Sequence, residues 1–150
     1  MQREMERFDR PSAIERLFNK LFGLLVGWGL GLPHNYLLQV RGRKSGRLYS
    51  SPVNVLSRDG KRFLVAPRGS TQWVRNAQAS GTVSLKKGRR YEEVRLRVVA
   101  DEDKLEILKA YLDNFTRTVQ RYFPVPAGSP VEAFRPFAMR YPVFELVPIL

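Results

Sequence analysis

The chain has 150 residues, a length that fits one domain with a sizeable core, and 43% of them are hydrophobic, which excludes a disordered chain. It has no cysteine and one histidine, His34, so disulfides, thiol chemistry and a multi-histidine metal site are excluded; no metal is expected. The formal net charge is +12, and residues 41–97 alone hold 15 basic and 3 acidic residues, while the remainder holds 11 of each.

Residues 1–11 are polar and mixed in charge, as in a frayed terminus. Ser12 with Glu15 forms a capping-box pattern. Ile14, Leu17, Phe18, Leu21, Phe22, Leu24 and Leu25 then follow at helical spacing, until Gly27, Gly29, Gly31 and Pro33 end the run. Residues 1–35 therefore read as a tail and an amphipathic helix, and 36–150 as the folded domain. The glycines and Pro33 break residues 14–32 too often for a membrane span. A helix packed on the core and a peripheral membrane contact with Trp28 at the interface are the two readings of this segment.

From Tyr36 the period changes to two. One strand carries Tyr36, Leu38 and Val40 and turns at Gly42–Gly46; a second runs from about Arg47 to Leu56. Asp59-Gly60 supplies the positive φ angles of a two-residue hairpin, and Arg62–Ala66 is the returning strand. Thr71 is placed to cap a helix that Gly81 stops. Thr82–Leu85 and Arg90–Ala100 are strands, the latter with Val94, Leu96 and Val98 on one face and Arg95 and Arg97 on the other. Asp101-Glu102-Asp103 opens a helix whose inner face is Leu105, Leu108, Tyr111, Leu112, Phe115 and Val119. A loop over 123–130 and a terminal strand over 141–148 complete an α+β domain with a small barrel of five or six antiparallel strands.

Two segments carry the chemistry. In Arg41-Gly42-Arg43-Lys44-Ser45-Gly46-Arg47 four cations share a glycine-bounded turn, a geometry in which backbone N–H groups and guanidinium forks hold phosphate or carboxylate; it is not a Walker A loop. In Val65-Ala66-Pro67-Arg68-Gly69-Ser70 a strand leads into a helix N-terminus, with Arg68 adding charge and Gln72, Trp73 and Asn76 on the helix that follows. A solvated basic hairpin and a core tryptophan are the plain alternatives.

These segments in this order, with Pro52 between them, Trp73-x-x-Asn76 after them and the terminal Tyr141–Leu146 run, resemble the deazaflavin-dependent nitroreductase family. The resemblance implies a split β-barrel of the pyridoxamine-phosphate-oxidase-like, flavin-binding type. It also implies the deazaflavin coenzyme F-420 as cofactor, ahead of flavin mononucleotide, and hydride transfer to a small organic acceptor such as a quinone, nitroaromatic or enone. By the same resemblance Arg43, Lys44 and Ser45 hold the coenzyme's anionic tail, with Tyr49 close by. Pro52, Val53 and Asn54 line its ring on one strand; Val65, Pro67 and Arg68 lie on the other side; Gln72, Trp73 and Asn76 close the pocket. Tyr111, Phe115 and Tyr122 are the candidates for the acceptor side. The expected location is cytoplasmic, at the inner face of a membrane if residues 14–32 engage it, as monomer or homodimer. A carrier of flavin, haem or fatty acid in the same barrel is the first alternative. A nucleic-acid-binding domain using Tyr49, Phe63 and Tyr91 as stacking rings is the second, and the absence of any binding signature counts against it.

Overall fold

The computed structural model describes residues 33–149. The helix expected over residues 14–25 lies outside the described residues. Seven antiparallel strands form one sheet: β1 (Asn35–Arg41), β2 (Leu48–Asn54), β3 (Leu56–Arg58), β4 (Lys61–Val65), β5 (Thr82–Lys87), β6 (Arg90–Val98) and β7 (Val143–Pro148), in the order β2-β1-β5-β6-β7-β4-β3. Among the described residues three α-helices decorate it, α1 (Gln72–Ser80), α2 (Leu105–Asn114) and α3 (Thr116–Val119).

The strand expected from Arg47 to Leu56 is two strands. β2 and β3 are the two outer members of the sheet order, yet Val55 alone separates them in sequence. One residue cannot cross a flat seven-stranded sheet, so the sheet has curled until its edges adjoin at Val55. Val55 is buried at that seam and its N–H donates to the His34 carbonyl (2.8 Å). Pro52 sits in β2, a strand paired on one side only, which is where a residue without an N–H is tolerated.

Alternation sends the two faces of the sheet to two cores. One contains Leu38, Val40, Leu64, Val83, Leu85, Val94 and Leu146, closed by Ala77 of α1 and flanked by half-buried Trp73. The other packs Phe63, Val65 and Val143 against Leu108, Tyr111 and Leu112 of α2, and against Phe134, Phe137 and Tyr141. The inner face of α2 falls where its spacing places it, but the helix breaks at Phe115 (φ −120°, ψ 31°) and resumes as α3. A 3-10 run over Val131–Arg140, with Pro136 inside it, was not expected and supplies Phe134, which is fully buried.

The Asp59-Gly60 hairpin has the positive φ angles the turn requires, 53° and 75°. Gly81 ends α1 at φ 78°, its N–H donating to the Ala77 carbonyl. Thr71 precedes α1 with extended backbone but makes no side-chain capping bond. Val98, expected to share a face with Val94 and Leu96, is 66% exposed while Val94 is fully buried, and Val99 beside it enters the α2 core instead. Phe63 is buried under α2, which removes it as a base-stacking ring.

Candidate functional site

The β1–β2 turn is shaped by Gly42. It is buried, and a Cβ there would stand 2.7 Å from Ser45 Oγ and 2.8 Å from the Tyr49 ring, closer than carbon tolerates. The turn closes with Gly42 N–H donating to the Arg47 carbonyl (2.7 Å) and Gly46 N–H to the Gly42 carbonyl (3.0 Å). Ser45 Oγ is engaged locally: it accepts from the Arg47 N–H and lies 3.4 Å from the Tyr49 hydroxyl. The Arg41 guanidinium donates to the Gly46 carbonyl.

This turn docks on α1. Asn76 is buried, and its Oδ1 accepts from both the Arg43 backbone N–H (3.0 Å) and Arg43 Nη1 (2.8 Å). Gln72 Oε1 accepts from the same Nη1 (2.9 Å). Two segments 33 residues apart are thus joined by one guanidinium, which brings Arg43, Gln72 and Asn76 together, with Lys44 exposed beside them. The partners of Arg43 are neutral amides, so its charge is positioned without being cancelled. Among the described residues, Arg43, Lys44, Arg47 and Arg68 form no ion pair with an acid. Between Tyr36 and Tyr91 the sequence contains one acid, Asp59, and it sits on a different hairpin. At the N-terminus of α1, Thr71 Oγ1 and Gln72 Nε2 are buried without a hydrogen-bond partner. A cluster of uncancelled cations beside two orphaned polar atoms is a donor set that fits a ligand carrying a phosphate and carboxylates.

The far end of the β1–β2 hairpin, roughly 20 Å away at about 3.3 Å per residue, has another character. Asn54 is paired with Asn35; its Oδ1 accepts from Asn35 Nδ2 (2.8 Å) and its Nδ2 donates to Thr118 Oγ1 (3.4 Å). Asn54 also hydrogen-bonds the Tyr111 side chain, whose phenol burial pushes well above its ordinary range. Phe115 lies edge-on to Tyr111 (5.3 Å) and against His34 (4.6 Å). Burial, then the Lys87 ammonium, holds His34 below its usual pKa.

Val65 belongs to the same core as Tyr111 and Phe115, and half-buried Tyr122 packs on it, so the ring-side and acceptor-side candidates adjoin. Tyr111 and Phe115 are 3% and 8% exposed, packed as core side chains. Val53 faces the other core, opposite Tyr36. Pro67 and Arg68 lie in the β4–α1 connection, Arg68 exposed. Asn35 and Thr118, which tie Asn54 in place, were not singled out in the sequence; no local pattern marks a contact spanning 64 residues.

Among the described residues no helix is long and apolar enough to cross a membrane, and no cluster of metal-ligating side chains occurs.

No curated protein matches the chain. Among solved structures it is similar to an F420-H2 dependent reductase (21% identity, 76% of this chain and 94% of that one, TM-score 0.52). It is also similar to HutZ, the haem storage protein of Vibrio cholerae (11%, 78% and 82%, TM-score 0.54). A third is a pyridoxamine 5'-phosphate oxidase-like protein from Listeria innocua (10%, 78% and 85%, TM-score 0.50). These likenesses establish the fold as the split β-barrel expected from the sequence. Residues 16–124, well over half of the chain, match the family described as F420H(2)-dependent quinone reductase, and the chain belongs to that family of coenzyme F-420-dependent reductases.

Proposed function

We propose that the protein passes hydride from reduced coenzyme F-420 to a small organic acceptor of the quinone, nitroaromatic or enone class, with the coenzyme's tail at the β1–β2 turn and its ring at the Asn54 end. The observation that carries this reading is the Arg43–Asn76–Gln72 junction, which fixes a guanidinium with its charge uncancelled beside Lys44. Phosphate and carboxylates are the groups such a cluster favours. Arg43 and Lys44 take the tail charges, the orphaned Thr71 hydroxyl and Gln72 amide N–H groups add donors, and Arg68 extends the positive field. Pro52 and Asn54, on one face of β2 at that end, supply a flatter, less charged wall for the ring.

When bound, the coenzyme supplies the hydride; the protein's share is orientation, electrostatics and exclusion of water. Asn54 is held from two sides by Asn35 and Thr118, so it offers a fixed amide at the ring end. The Tyr111 phenol, raised by burial, stays protonated across physiological pH and does not serve as a base. Phe115 and Tyr122 shield that end from water. No acid–base pair is required of a chain with one histidine and no cysteine.

The reading is tested by mixing the protein with reduced coenzyme and a soluble naphthoquinone and following coenzyme absorbance. Oxidation that depends on the protein and saturates in both reactants is expected. A protein that binds reduced coenzyme yet oxidises it with no quinone, nitroaromatic or enone is a carrier, and the reading fails.

A further inference from the structure

A concavity of about 640 Å³ opens at the end of the barrel away from α1. Its walls come from three strands. The register pairs Leu85 with Glu92 and Lys87 with Arg90, and β1 adds Tyr36 beside β5, so these side chains share the barrel's inner face. Leu85 and half-buried Tyr36 line its depth, which gives an apolar, partly aromatic floor.

The rim is cationic. Arg89 and Arg90 are exposed at the β5–β6 turn and form no ion pair among the described residues. Lys87 is fixed in the wall, its Nζ donating to the Pro33 and Asn35 carbonyls (2.8 Å each) and lying 4.7 Å from the Tyr36 ring centre. The acid at the mouth, Glu92, is taken up by a bidentate pair with Arg62 (2.8 and 2.5 Å). That pairing cancels the one negative charge and leaves the arginine charges of the rim unopposed. The concavity is built from side chains distinct from the Arg43 cluster, and β1 runs between the two.

We propose that this barrel mouth binds a planar aromatic anion, such as an aryl sulfonate or carboxylate: the ring on Leu85 and Tyr36, the anionic group on Arg89 and Arg90. An apolar floor with a guanidinium rim matches a flat ring bearing one negative substituent. A neutral ring gains the floor alone, and a small inorganic anion the rim alone. Where such an anion is also a quinone, the mouth is an entry point for the acceptor. That extension rests on the reductase reading; the binding site itself does not.

The test uses full-length, coenzyme-free protein titrated with naphthalene sulfonate and, separately, with neutral naphthalene methanol, by calorimetry and by amide chemical shifts. The sulfonate is expected to bind about tenfold more tightly than the alcohol, and to weaken about tenfold in Arg89→Gln/Arg90→Gln and on raising salt to about 0.5 M. The Arg43→Gln variant is expected to bind it as wild type does. Shift changes are expected at Tyr36, Leu85 and Arg90, and this readout needs no variant to fold. Equal binding of sulfonate and alcohol, no binding of either, or shift changes at Arg43 and Asn76 instead of the mouth would overturn the proposal. Sulfonate binding at the mouth by a protein that never oxidises reduced coenzyme would uphold this site and sink the reductase reading.

Discussion

Asn76 is the residue whose replacement separates the structural from the electrostatic content of the site. Its Oδ1 carries two hydrogen bonds from Arg43, one from the backbone and one from the guanidinium. In Asn76→Ala the backbone N–H of Arg43 loses its partner, which costs about 1 kcal/mol. The guanidinium bond adds less than a buried charged bond would, because Arg43 is exposed and water replaces the amide. A loss of roughly 1–2 kcal/mol and a melting point lower by about 3–8 °C follow for a domain of this size. Coenzyme affinity falls about tenfold, since the guanidinium is no longer held in place. Asn76→Asp keeps the acceptor oxygen and the shape but adds a negative charge beside Arg43. Stability then stays within about 1 kcal/mol of wild type, while the cation meant for the coenzyme is cancelled and affinity falls by about tenfold or more. Thermal melts and coenzyme titrations of both variants make the comparison. An Asn76→Asp protein that binds coenzyme as tightly as wild type refutes the idea that an uncancelled Arg43 charge is what the junction provides.

Four further outcomes are expected. Gly42→Ala forces Ser45 and Tyr49 apart and destabilises the protein by about 1–2 kcal/mol in denaturant unfolding. Phe134→Ala empties a fully buried site and costs about 3–5 kcal/mol by the same assay, a large share of a domain's stability. His34 is held below its ordinary pKa of about 6.5, so the unfolded chain takes up a proton first as pH falls. Stability should therefore decline from about pH 6.5 down to the folded-state value, and His34→Gln should flatten that part of the profile. Glu92 is held below the usual carboxylate range by its hydrogen bond to Arg62. Its contribution is present above the unfolded value of about 4.3 and disappears as pH drops through the folded one, so Glu92→Gln should remove part of the acid-side slope.

Local rules made much of the fold legible. The Asp59-Gly60 hairpin, the Gly81 helix stop and the apolar face of α2 depend on residues a few positions apart, and each is found where its spacing puts it. The break at Val55 was hidden because Arg47–Leu56 reads as one extended stretch; only closure of the sheet requires it to change partners there. Val131–Arg140 was missed because Pro136 argues against an α-helix, while the tighter 3-10 turns accommodate it. In the site, glycine spacing and charge marked the β1–β2 turn, and its order relative to Trp73 and Asn76 marked the family. What the sequence could not display was the bond between them: Asn76 serves Arg43, and Asn54 is tied by Asn35 and Thr118, through contacts the folded sheet alone creates.

The most direct test of the central claim is an equilibrium titration of the purified protein with coenzyme F-420 and, in parallel, with flavin mononucleotide. Micromolar or tighter binding of the deazaflavin, weaker binding of the flavin, and a loss of about a hundredfold or more in Arg43→Ala/Lys44→Ala without loss of fold are expected. Coenzyme binding that is undiminished in that double variant, or a preference for flavin mononucleotide, would contradict the account.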